Sequence, residues 1–337
     1  MVTFRFYLVS IVAFFLALAV GVVVGSVLDE GISRSLKDRL ESVQGNLDST
    51  VAAIDQKNDE ITDLSSYAEA SAPFAVSDSV VGTTTLVVAE PGLATGPVED
   101  LVLRLRQGGS HVEGIVWLDP RWDLADADDR SRVAELLGTT ETSADKLRAE
   151  VWARVLGPGA PGAPGTTAST TAPTPPPTTA AAGTGGAAAS EPVALFASPL
   201  LTSLEDAGLV RLVRLDGDDG AGGAALQAVA VTGTESTLAP PGSAAVAVAE
   251  EAAANGLPAV LAEQFVKSSR KGAPARGDLV GAARDDSTAR FSTVDDLDLV
   301  AGRVAAVLAL ADLRNGVVGQ YGYGPDAEGV LPRWRGP

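Results

Sequence analysis

The chain has 337 residues and a formal net charge of −18. Acidity on this scale argues against nucleic acid, which selects positive surfaces, and against a polybasic mode of membrane-surface binding. There is no Cys, one His (His111) and one Met (Met1), so disulfides, thiolate metal sites and Cys nucleophiles are ruled out.

From Tyr7 to Leu28 the sequence runs YLVSIVAFFLALAVGVVVGSVL without a charge. That is long enough to cross the roughly 30 Å hydrocarbon core as one helix. The apolar run is longer than a signal-peptide core, and no clean A-x-A site ends it, so an uncleaved anchor is expected over residues 1–28. Arg5 precedes the span and favours a cytoplasmic N-terminus with the bulk of the chain extracytoplasmic, although Arg34, Lys37 and Arg39 pull the other way. Ala13, Ala17, Gly21 and Gly25 recur every four residues, the small-xxx-small spacing that lets two helix backbones approach.

A heptad pattern follows over residues 29–72. Leu40, Leu47, Ile54, Ile61 and Ala68 fall at position a, and Leu36, Val43, Thr50, Lys57 and Leu64 at position d. A seven-residue apolar repeat sustained this long indicates a coiled coil, with Thr50 and Lys57 as the polar breaks. Leu36, Leu40, Val43, Leu47, Ile54, Ile61 and Leu64 are therefore the candidate partner-binding residues. The competing reading is an amphipathic helix packed on its own domain. Pro73 is expected to stop the helix; from Leu28 to Ser71 it would reach about 65 Å at about 1.5 Å per residue.

Beyond the stalk, short apolar runs alternate with helical patterns. Thr84–Ala89 and Val112–Leu118 read as strands, with a helix over Val98–Gln107 between them and helices over Asp128–Leu137 and Ala144–Leu156 after them. Strand, helix, strand with short links implies a parallel sheet. Residues 157–190 then carry no large apolar cluster and almost nothing but Gly, Ala, Pro, Thr and Ser, so a disordered insertion is expected there. The second half resumes with a helix over Val193–Ala207, strands at Leu209–Leu215, Leu226–Thr232, Leu257–Ala262 and Phe291–Val294, and helices over Ser243–Asn255 and Leu299–Arg314. The expected architecture is one mostly parallel α/β domain, built from residues 73–156 and 191–337 and interrupted by the insertion, in preference to two independent domains.

No catalytic constellation emerges, and a non-enzymatic protein is expected. A Ser-His-Asp triad would have to use His111, which reads better as part of a turn, and there is no G-x-S-x-G elbow. Neither G-x-x-x-x-G-K-[ST] nor G-x-G-x-x-G occurs. Asp216-Gly217-Asp218-Asp219-Gly220 lacks the spaced ligands of a calcium loop and reads as a hairpin turn. Asp126, Asp128 and Asp129, and likewise Asp295 and Asp296, precede helices and read as capping residues. Copper(I) prefers Cys and Met, then His, so no cofactor or metal site is expected from the residues.

Three stretches resemble the actinobacterial copper transport protein MctB family, which includes a corynebacterial relative, SteB. They are the span with FLALAVGVVVGSVL, the heptad helix, and FSTVDDLDLVAGRVAAVLALADLRNGVVGQYGYGPDAEGVLP, in which STVD and Gly319–Gly324 are the most specific. The family name implies copper homeostasis and an outer-membrane pore. The SteB relative implies a role in envelope and cell-division control, paired with a membrane protein SteA and acting on a peptidoglycan hydrolase. No metal-ligand set can be carried onto these residues, so copper enters only through the resemblance. A transmembrane barrel needs an even number of alternating strands of about ten residues, which this chain does not show. The expectation is accordingly a single-pass adaptor: itself or a second, SteA-like coiled-coil membrane protein as partner, an envelope hydrolase downstream, no nucleic acid. Copper transport, as a pore or its accessory, is the alternative. The roles of Tyr321 and Tyr323 stay open.

Overall fold

A computed structural model describes residues 3–157, 195–215, 225–238, 243–268, 272–285 and 288–333. Of the expected insertion, residues 158–190 lie outside these, as does the acidic turn at 216–220. The chain divides into two compact units, Met1–Ser66 and Tyr67–Pro337.

The first unit is helical throughout its described residues, within helix α1 (Thr3–Val76). Phe6–Val24 forms a 19-residue apolar window with a mean hydropathy of 2.8. Its side chains, Ala13, Ala17 and Gly21 among them, are exposed. The helix does not stop at Pro73 but runs on to Val76. A proline forfeits one i→i−4 bond and crowds the carbonyl four residues back. Here it sits in the last turn, where burial of Ala72 and Val76 in the core of the second unit outweighs that loss.

The second unit is a seven-stranded sheet with helices on both faces. Its strands are β1 (Thr83–Ala89), β2 (Gly114–Leu118), β3 (Val210–Arg214), β4 (Ala225–Gly233), β5 (Ala259–Gln264), β6 (Ser292–Val294) and β7 (Gln320–Tyr321). They lie in the order β3-β2-β1-β4-β5-β6-β7, all parallel except β3, which pairs antiparallel with β2 (Trp117 opposite Arg211). Strands from both sides of residues 158–194 share this one sheet.

Burial on both faces explains the near-continuous apolar runs of the central strands. Along β1, Leu86 and Val88 point to one side and Val87 and Ala89 to the other. The first side is covered by α3 (Ala127–Leu137), α4 (Ala144–Leu156), α5 (Pro199–Asp206), α6 (Ser243–Ala254) and α7 (Asp278–Asp285). Trp122 and Trp152 meet there at 5.5 Å between ring centroids. The second side is covered by α2 (Thr95–Gln107), α8 (Val300–Arg314) and residues 72–76.

The helix expected over Val193–Ala207 is a 3-10 turn (Leu195–Ala197) followed by α5. Pro199 opens α5 and holds Ser198 extended at φ −62°, ψ 121°, as a residue before proline prefers. Helix α7 and strand β7 lacked a clear apolar period, and β7 is only two residues long.

Candidate functional site

Open parallel sheets bind ligands outside the carboxyl ends of their strands, at the point where the strand order reverses. Here that point lies between β1 and β4. The sequence places a polar residue directly after nearly every apolar run at this edge: Glu90, Thr232, Glu263, Gln264, Asp295 and Asp296, all buried.

The crevice itself is filled by the protein. Glu90 accepts from the Thr232 hydroxyl at 2.7 Å and from the Ala245 amide at the start of α6 at 3.0 Å. The Gln264 side chain binds both the amide (2.9 Å) and the carbonyl (3.1 Å) of Ala94. The Thr237 amide donates to the Pro91 carbonyl at 3.1 Å. Gly92 has φ +88°, and a Cβ there would run into the Glu235 carbonyl, so only glycine allows the two loops to meet. The space where a doubly wound protein would seat a dinucleotide is thus closed by loops 91–94 and 233–238. A groove of about 430 Å³ remains to one side, over the ends of β1 and β2, lined by Trp117, Asp119, Pro120 and Arg211 among others. The Arg211 guanidinium lies 5.8 Å over the Trp117 ring.

The densest charge on this edge gathers at β5 and β6. Asp295 is fully buried and pairs with the equally buried Arg284 at 2.8 Å. It also accepts from the Tyr323 amide at 2.8 Å and the Gly324 amide at 2.9 Å. Gly322 has φ +131°, and a Cβ on it would strike the Asp295 carboxylate. STVD and GQYGYG, with 23 residues between them, are therefore two halves of one feature: a carboxylate at the end of a β-strand held in a glycine-shaped cradle of amides. Arg284 completes it by donating to Thr293, Tyr321 O and Pro325 O. Tyr321 is buried in the core, whereas Tyr323 is exposed.

Glu263 accepts from the amides of Gly277 (3.0 Å) and Leu279 (3.2 Å) at the start of α7. Burial nonetheless pushes its carboxyl up to about 7, and the charge of Asp295 adds to the rise. Asp296 is fully buried and neither carboxylate oxygen has a hydrogen-bond partner. Burial first and Asp295 second push it up to about 7. Arg276 donates to both carboxylate oxygens of Asp298, at 2.9 and 2.8 Å, and stacks 4.6 Å over Phe265.

Asp295 and Asp296 are therefore not helix caps. Leu299 occupies the cap position of α8 without a side-chain bond, and the acids face inward. Asp126 does cap α3, accepting from the Asp128 amide, while Asp129 pairs with Arg121.

A second charged cluster ties the end of α1 into the second unit. Glu69 receives Arg104 of α2 and lies 3.7 Å from Arg303 of α8, which is also 3.8 Å from Asp100. Burial lowers both guanidiniums from their ordinary value. No sequence pattern announced these internal arginines.

The candidate partner-binding residues with described side chains are all exposed: Leu40 67%, Val43 65%, Leu47 60%, Ile54 54%, Ile61 59% and Leu64 68%, whereas Ala68 at the last position a is half-buried. The side chains of Leu36 and Gly25 are outside the described residues. Among the described residues no group of three His, Cys, Asp or Glu side chains is arranged to hold a metal ion.

Residues 1–332 match the family model described as "Copper transport outer membrane protein, MctB". The chain belongs to the MctB family. It is 27% identical over 335 residues to the proteins named Copper transporter MctB of Mycobacterium tuberculosis (strain ATCC 25618 / H37Rv) and Mycobacterium bovis, covering 98% of this chain and 99% of each relative. The MctB match runs through the apolar helix, the heptad segment and the α/β unit alike. Together with that helix it makes this a membrane protein.

Proposed function

We propose that this chain serves copper handling in the cell envelope as a membrane-anchored accessory of transport, not as the element that ligates the metal. The observation that carries this reading is the family match over residues 1–332, which includes anchor, heptad helix and domain. Copper here is cargo. The chain's own donors do not fit a dedicated copper(I) site, since it offers no Cys, one His and one Met. The sheet of the second unit is open and covered by helices on both faces, which is not the closed barrel of an outer-membrane pore.

In this proposal Phe6–Val24 crosses the membrane once, the short N-terminus is cytoplasmic, and the α/β unit is extracytoplasmic. It carries out no covalent chemistry. The test is cell-associated copper and copper tolerance in a deletion strain. Raised copper and lowered tolerance, restored by the full chain, are the expected results; unchanged values with an intact envelope overturn the reading.

The exposed heptad face favours a second reading, an adaptor that pairs with itself or with a coiled-coil membrane partner, and through it governs an envelope hydrolase in cell division. An apolar seam this long is costly to leave in water. Photo-crosslinkers at Gln44 and Asn58 in living cells separate the readings. A single heterologous envelope partner supports the adaptor, and division defects without altered copper would make it the primary role.

A further inference from the structure

Four carboxylates, Glu263, Asp295, Asp296 and Asp298, converge at the carboxyl ends of β5 and β6 with two guanidiniums, Arg276 and Arg284. Arg284 is committed to Asp295 at 2.8 Å, and Arg276 to Asp298 through two bonds. Glu263 has the amides of Gly277 and Leu279. Arg303, a further cation among the described residues, reaches in from α8 but donates to the carbonyls of Leu297 and Asp298 and faces Glu69 and Asp100. Asp296 is left fully buried with both oxygens unpartnered. Burial without a side-chain partner disfavours the charged carboxylate and favours the protonated form, against the pull of Arg276.

We infer that Asp296 is a proton-controlled latch: while it is neutral Arg276 clasps Asp298, and when it ionises Arg276 turns to it and releases the segment leading into α7. Arg276 is the cation placed for the exchange. Its Nη1 already donates to the Asp295 carbonyl at 3.2 Å, one residue before Asp296. The clasp is the accessible member of the cluster, with both its side chains 21% exposed. What it holds is substantial: Arg276 covers Phe265, Asp298 accepts from the Phe265 amide at 3.2 Å, and Gly277 begins the turn bound by Glu263. On the other side α8 packs tightly: Gly302 lies so close to Asp296 that a Cβ would strike its backbone. Ionisation is thus relieved through Arg276 and not through α8. Burial and Asp295 place the change near neutral pH, where the Asp296 carboxyl is pushed up to about 7. The device would make one loop of the carboxyl edge respond to the pH around the domain.

Hydrogen exchange of the full-length chain in detergent micelles, corrected for the intrinsic pH dependence of exchange, tests this at pH 6 and pH 8. Peptides spanning 272–280 are expected to lose protection at least tenfold at pH 8, while those spanning 300–314 keep it. Asp296→Asn should retain protection at pH 8. Asp298→Asn, which frees Arg276, should show the open pattern already at pH 6. Equal pH dependence in wild type and Asp296→Asn, or no change in wild type, overturns the inference. Should Asp296→Asn not fold, protection of 272–280 in Asp298→Asn at pH 6 equal to wild type overturns it instead.

Discussion

Single residues decide how the carboxyl edge is built. The pair STVD and GQYGYG is a case where one side chain dictates a distant backbone. Asp295 is fully buried, and its charge is balanced by Arg284 and by two amides that only a Gly322 at φ +131° can present. Removing one partner of a buried pair strands the other, which typically costs about 3–5 kcal/mol. Asp295→Ala should therefore lower the thermal midpoint by about 6–20 °C in calorimetry, given about 2–4 °C per kcal/mol for a domain of this size. Gly322→Ala should lose about 2–4 kcal/mol through strain at positive φ and collision with the carboxylate. Gly281→Ala, where a Cβ would have open space, is the control expected to change little. Glu263 gives a pH prediction with a definite sign. Its carboxyl is raised from 4.5 to about 7 in the folded protein, so the folded state holds a proton that the unfolded state releases across that window. The Glu263 contribution to stability therefore falls as pH rises from about 4.5 to about 7 and levels off above it. Glu263→Gln should flatten part of that decline in thermal melts run from pH 4 to pH 8; an unchanged slope would contradict it.

At the scale of elements, legibility tracked how local the cause is. The runs of β1, β4 and β5 declare themselves because burial on both faces leaves a near-continuous apolar run, and the apolar span and the heptads of α1 stand out by length and repeat alone. Helix α1 outlasts Pro73 because Ala72 and Val76 are buried by elements far along the chain, which no local rule sees. The inward-facing acids that follow β6 were hidden for the same reason. An aspartate before a helix reads as a cap until Arg284 and the 322–324 turn are known to reach it. Arg104 and Arg303 likewise look like surface residues of α2 and α8 until Glu69 is placed between them. The exposed heptad face makes its own prediction. Leu47→Asp with Ile54→Asp should abolish pairing, read as loss of the Gln44 and Asn58 crosslinks in living cells. Retained crosslinks would show that the seam is not the contact.

Across the whole molecule, the chain joins an apolar helix and a heptad helix to a closed α/β unit whose usual ligand crevice is filled by its own loops. The sheet order was not legible, since the sequence shows strands but not which neighbours they choose, and the antiparallel β3 lies beyond residues 158–194. Family membership fills what composition left open, because a chain with one His and no Cys gives no hint of copper by itself. The central claim is that such a chain serves copper handling without ligating the metal. It is tested most directly by measuring cell-associated copper in a deletion strain complemented with the wild-type chain or with His111→Ala. Both forms should restore normal copper if the role is accessory. Rescue that depends on His111 would contradict the accessory role, and copper unaffected by the deletion would contradict the copper role itself.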